Sequence, residues 1–278
     1  MKKLLLIFFL VGFVFFNNCS KNEKIEIVKI EEDQIEVQMI KAYQEGMVAF
    51  ENQLYLDAAK KFTEAEILFP QSEWAPRSAL MAAYAYYYDD YNNRAISELI
   101  NFFKKYPNDP NTSYAHYLLA MSYYNKIIDE KKDLEPLMQS KIQFEYVVQN
   151  FPDTDFSLDA KFKLDLINEM IASKEMYIAR HYINKQKWIS AINRLKFIVK
   201  EYDNTIFVEE ALHRLVEIYY KIGLEDESRK YAVLLGHNYP ESKWYENSYK
   251  IYNKDYKILK NKIKNKKSTF EKFKSLLD

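Results

Sequence analysis

The sequence predicts an all-α fold, an α-solenoid of about five helix pairs closed by a C-terminal capping helix. A recurring stop is the first observation behind this. An aromatic residue followed by a helix-ending residue recurs at Phe69-Pro70, Tyr106-Pro107, Phe151-Pro152, Tyr202-Asp203 and Tyr239-Pro240. The intervals are 37 residues from Pro70 to Pro107, 45 on to Pro152, 51 on to Asp203 and 37 on to Pro240. A period of roughly 34 to 50 residues with two helical patterns per unit marks a helix-pair repeat. Composition is the second observation: 278 residues contain only 4 Gly and 7 Pro, but 24 Tyr. Few helix breakers suit a nearly all-helical chain, and tyrosines suit half-buried helices that pack the ring and wet the hydroxyl.

The third observation lies inside the unit Tyr43 to Pro70. Gly46, Ala58, Phe62, Ala65 and Pro70 follow one another at the spacing of a tetratricopeptide repeat, a helix–turn–helix of roughly 34 residues. Small residues let the two helices cross closely, an aromatic fills the gap beside them, and Pro stops the second helix. The second unit keeps Ala83, Tyr86, Ala95 and Pro107 in register, and the fifth keeps Leu215, Tyr219 and Pro240.

Taken in order, the chain opens with an address. Lys2 and Lys3 precede the apolar run Leu4 to Phe16, 13 residues long. A bilayer span needs about 20, so residues 1–18 read as an export signal. The only cysteine, Cys19, follows directly, and the arrangement resembles a bacterial lipoprotein box, although Phe16, Asn17 and Asn18 stand where aliphatic and small residues are usual. The resemblance implies cleavage before Cys19 and acylation of its thiol and new amino group, which gives stable anchoring. With Ser20 next, it implies the outer membrane, facing the periplasm. The competing expectation is an ordinary cleaved signal. Residues 19–37 read as the anchored Cys plus a charged tether. The repeat body spans 38–253. Its first unit ends at Pro70, and Trp74 onward with Tyr91 to Tyr106 forms the second. Thr112 to Ile128 and Ser140 to Phe151 flank an inserted loop, DEKKDLEP, in the third. A long helix from about Ser157 to Lys185 pairs with Trp188 to Tyr202, Thr205 to Ile222 pairs with Glu225 to Tyr239, and a cap carries Trp244, Tyr245 and Tyr249. Residues 254–278 hold nine Lys against Asp255, Glu271 and Asp278. This tail reads either as a solvated end or as a basic amphipathic helix for anionic lipid or an acidic partner.

Several function classes are disfavoured. Forty basic and forty acidic residues balance, so nothing points to nucleic acid as a partner. One cysteine excludes intrachain disulfides and cysteine-cluster zinc sites. The glycines at 12, 46, 223 and 236 build no phosphate-cradling loop, and neither a Gly-x-Ser-x-Gly elbow nor a His-Glu-x-x-His pair occurs. His116, His181, His213 and His237 fall on separate helices and read as surface or interface residues rather than ligands or bases. No catalytic residue, metal site or cofactor is expected.

The runs YAYYYDDY at 84–91, KKYPNDPNTSYAHYLLAMSYY at 104–124 and NFPDTDFSLDAKFKL at 150–164 carry a closer resemblance. They continue in EMYIARHYINKQKWISAINRLKFIVKEYDNT at 175–205 and EALHRLVEIYYKIG at 210–223. Over about residues 38–250 the chain resembles the BamD/ComL/YfiO family of outer-membrane β-barrel assembly lipoproteins. The resemblance implies a non-enzymatic scaffold of five tetratricopeptide units, anchored to outer-membrane lipid through Cys19. Its C-terminal units would dock the POTRA domains of BamA, beside other Bam lipoproteins, and its N-terminal units would receive the C-terminal targeting signals of unfolded β-barrel clients. Arg194 matches the family's BamA-docking Arg, with a surface pair along its own helix as the alternative. Tyr84, Tyr87, Tyr88, Tyr114 and Tyr117 are candidates for an aromatic peptide pocket, with interhelix core as the alternative for each. Two other classes compete: a generic periplasmic tetratricopeptide scaffold for cell-division or peptidoglycan-associated partners, and a lytic transglycosylase, for whose catalytic domain nothing after residue 250 leaves room.

Overall fold

The computed structural model describes residues 23–127 and 134–253, and the regular structure there is entirely helical. The signal segment, Cys19 and the basic tail lie outside the described residues, as does most of the inserted loop.

The chain divides into two compact units, one reaching Lys126 and the other starting at Ile127. The first contains α1 (Glu23–Glu51), α2 (Tyr55–Leu68), α3 (Trp74–Tyr88), α4 (Asn92–Lys105) and α5 (Thr112–Tyr124). Each of these packs on the next, and α3 also touches α5. The second contains α6 (Glu135–Asn150), α7 (Asp155–Asn184), α8 (Trp188–Glu201), α9 (Val208–Lys221), α10 (Glu225–Asn238) and α11 (Lys243–Tyr252). Here again each helix packs on its successor, and α9 also touches α11. Short connections between sequential neighbours give the antiparallel hairpins of a tetratricopeptide-type, all-α protein.

The recurring aromatic is the C-cap of the second helix in every pair. Phe69, Tyr106, Phe151, Tyr202 and Tyr239 all leave the helix with φ between −141° and −128°. A following Pro pushes its predecessor into this extended region. Tyr202 adopts it before Asp203, so burial of the ring, 5% exposed, suffices without Pro. A hydroxyl three residues on then closes the turn: Ser72, Thr154 and Thr205 donate to the carbonyls of Phe69, Phe151 and Tyr202 at 2.7, 2.8 and 2.7 Å.

The turn inside a pair repeats as well. Gln53, Asp90, Gln186 and Gly223 have φ of 62°, 59°, 56° and 83°. The next residue's N–H reaches back five positions, as from Leu54 to the Ala49 carbonyl and from Leu224 to the Tyr219 carbonyl, both 2.9 Å. This is the Schellman ending, built three times out of four without glycine.

Small residues sit where helices cross. Ala58, Phe62 and Ala65 are wholly buried, and a Cβ on Gly46 would meet the Phe62 ring at 2.8 Å. Ala83, Ala95 and Leu215 are wholly buried too. At the chain's far end a Cβ on Gly236 would meet the Tyr245 ring of α11 at 2.4 Å, while Val208, Leu212 and Leu235 form the core beneath Trp244.

Two boundaries differ from expectation. The stretch read as a tether is helical from Glu23 and runs into α1 without a break. Within this helix residues 34–38 are exposed, and Met39 is wholly buried. The helix expected from Ser140 begins at Glu135, because Pro136 falls in its first turn, where a missing N–H costs nothing.

Candidate functional site

In unit 1, Tyr84, Tyr87 and Tyr88 fall at i, i+3 and i+4 on α3, and Tyr114 and Tyr117 at i and i+3 on α5. These spacings put each set on one helix face, and the two helices are neighbours. All five rings line one cavity of about 490 Å³, together with Asp90, Met121 and Asn125. The rings support one another edge to face, with centroids 4.8 Å apart for Tyr84–Tyr88 and 6.1 Å for Tyr84–Tyr114. Tyr88 is half exposed. Burial, then its contact with Tyr88, pushes the Tyr84 phenol up to about 12, and burial raises Tyr114 as well. At neutral pH the Tyr84 and Tyr114 phenols are therefore uncharged, and the slot is ring-lined apart from the polar Asp90 and Asn125, which suits an aromatic side chain.

Two more rings belong to this cluster and were missed in the sequence. Phe50 of α1 stacks on Tyr84 at 5.4 Å and 18°, and Tyr55 of α2 lies 5.5 Å from Tyr88. Phe50 stands three residues before the left-handed Gln53, as Tyr87 stands before Asp90. That turn carries no sequence signature, so nothing in the sequence aligns the two positions.

A second cavity, about 510 Å³, shares Tyr84 and Tyr114 and is otherwise lined by Arg77, Leu80, Met81 and Asn111. The Arg77 guanidinium lies 5.7 Å from the Tyr43 ring centroid and 5.3 Å from that of Trp74.

Arg194 lies in unit 2, on α8. With Tyr182, Ser190, Asn193 and Phe197 it lines a cavity of about 410 Å³. Its Nη1 donates to both carboxylate oxygens of Glu175 on α7, at 3.1 and 2.9 Å. The pair thus crosses between helices instead of running along α8. Glu175 is 4% exposed, whereas the Arg194 side chain is 44% exposed, so a half-exposed guanidinium covers a buried charge.

The neighbouring α9 carries a charged network. Glu210, buried, accepts from Arg180 of α7 and from Arg214. Burial raises the Glu217 carboxyl, but hydrogen bonds from His213 and Arg214 outweigh it and hold the group at about 2. His213 is itself buried and bonded to Ser248 of α11 at 2.8 Å, an interface residue at the end of the repeat. Among the described residues no cluster of three His, Cys, Asp or Glu is placed to hold a metal, and no helix is long and apolar enough to cross a membrane.

Sequential helix pairs joined by these repeated turns define a tetratricopeptide-type, all-α protein. The chain belongs to the YfiO family, described as outer membrane lipoprotein, whose model matches residues 35–234. It is 36% identical over 249 residues to the outer membrane protein assembly factor BamD of Rickettsia prowazekii, covering 90% of this chain and 96% of that one. It is 34% identical over 235 residues to the factor of the same name from Caulobacter vibrioides, covering 84% and 76%. The corresponding Neisseria meningitidis protein is 31% identical over 212 residues, covering 73% and 79%.

Proposed function

We propose that this protein is a non-enzymatic outer-membrane protein assembly factor, a scaffold held at the periplasmic face of the outer membrane by acyl chains on Cys19. The observation that carries the reading is family membership across 76% to 96% of the length of relatives that bear that function in their names. In this reading the tyrosine cavity of unit 1 receives C-terminal segments of unfolded β-barrel clients, and Arg194 contributes to docking the POTRA domains of BamA beside other Bam lipoproteins. An extended peptide fits an aromatic slot because ring burial supplies affinity without requiring a folded ligand.

Binding of isolated POTRA domains tests the Arg194 assignment. Arg194→Gln alone leaves Glu175 buried without its partner, which destabilises the fold by itself. The double variant Glu175→Gln/Arg194→Gln removes both charges and keeps a neutral pair. Under the proposal it folds but binds at least tenfold more weakly, as expected for loss of an interface Arg. Unchanged affinity removes Arg194 from the interface. Recovery of peptidoglycan or division proteins in place of barrel proteins would favour the generic scaffold.

A further inference from the structure

The two cavities of unit 1 that share Tyr84 and Tyr114 differ in the charged residue each contains. One holds Asp90 and the other Arg77. Arg77 and Tyr84 lie on one face of α3, seven residues apart, about 10 Å along the axis. Asp90 follows at the other end of the same helix. The Asp90 carboxylate already accepts from the Asn92 side chain at 2.6 Å. Arg77 has no carboxylate partner among the described residues. Its interactions are with the ring faces of Tyr43 and Trp74, which fix the guanidinium and leave its in-plane N–H donors available. Arg77 also sits in the first turn of α3, where the helix N-terminus favours an anion, while the C-terminal end beyond Tyr88 does not.

We propose that Arg77 reads the free α-carboxylate of a polypeptide whose last side chain is aromatic, and so sets the direction in which the peptide lies. The terminal carboxylate meets the fixed guanidinium, the terminal ring enters beside Tyr84 and Tyr114, and the preceding residues run along α3 toward Asp90. Arg77, Tyr84 and Tyr114 line the same cavity of about 510 Å³, so a carboxylate and a ring carried together can meet them in one place. A chain end is favoured over an internal Asp or Glu because it brings charge and ring on one residue, and both subsites line one cavity. This inference rests on the reading of unit 1 as the client-binding end.

The test uses the full chain in detergent and fluorescein-labelled ten-residue peptides ending in Phe, as free acid and as C-terminal amide. Anisotropy should show the acid binding about tenfold more tightly than the amide, the usual size of a charge-assisted hydrogen bond. Arg77→Gln should abolish that difference by weakening the acid alone, and Arg77→Lys should restore part of it. Equal binding of acid and amide, with both lost in Tyr84→Ala, overturns the role of Arg77 and leaves the client-binding reading intact. Failure of both peptides to bind overturns the two together. An amidated peptide with an internal Asp that matches the acid, in an Arg77-dependent way, overturns the assignment to a chain end.

Discussion

Glu217 lies on α9 between His213, 3.4 Å away, and Arg214, 2.7 Å away. Its folded-state value of about 2 is below the ordinary carboxylate value, so it contributes stability that is present above the unfolded value near 4.5. That contribution is lost as pH falls from about 4.5 toward 2. Urea unfolding at pH 6 and pH 3 should therefore show a smaller acid loss in Glu217→Gln than in the unsubstituted protein; identical losses would remove Glu217 from the acid response. Tyr84 has the opposite sense. Its phenol is raised to about 12, so the stabilisation holds below pH 10 and disappears as pH climbs through 12. Absorbance titration at 295 nm should lose one late-titrating component in Tyr84→Phe, while those of Tyr106 and Tyr114, raised further, remain. The tyrosine spacing was legible in the sequence because helical periodicity alone puts those rings on one face. The partner of Arg194 was not: Glu175 lies nineteen residues away on another helix, and no local pattern pairs them.

Both kinds of turn recur, but only one could be read in advance. The aromatic cap announces itself because Pro usually follows. The left-handed turn hides behind Gln53, Asp90 and Gln186, residues that carry no conformational signature, and only Gly223 marks it openly. A non-glycine residue in that region costs about 1 to 2 kcal/mol, part of which glycine returns as unfolded-state entropy. Gln53→Gly and Gln186→Gly should each raise stability by about 0.5 to 1 kcal/mol, measured by urea midpoint at constant slope. Gly46→Ala should do the reverse, despite alanine's better helix propensity. Its methyl would meet the Phe62 ring at 2.8 Å, and overpacking of this kind costs about 1 to 3 kcal/mol. A stabilised Gly46→Ala would mean that the α1–α2 crossing has slack. The helical start of α1 at Glu23 escaped the sequence for a different reason. The exposed stretch 34–38 buries nothing, so the helix there leaves no apolar stripe to read.

At the scale of the whole molecule, the two units give the two proposed sites separate supports. The tyrosine cavity is built within α1 to α5, and Arg194 is held within α7 and α8. Substitutions in Tyr84 or Tyr114 should accordingly weaken peptide binding while leaving POTRA binding within twofold, and the Glu175→Gln/Arg194→Gln variant should do the converse. The repeat period carried the fold class, because each pair needs the same small residues and the same stop. The division at Lys126 and Ile127 was not foreseen, since it falls between the helices read as one pair. The central claim, service in outer-membrane protein assembly, is tested most directly by affinity purification of the chain from membranes through a C-terminal tag, with partners identified by mass. The account predicts a POTRA-bearing barrel protein recovered in near-equal amount. Purification without any such protein, or with peptidoglycan and division proteins in its place, would contradict it.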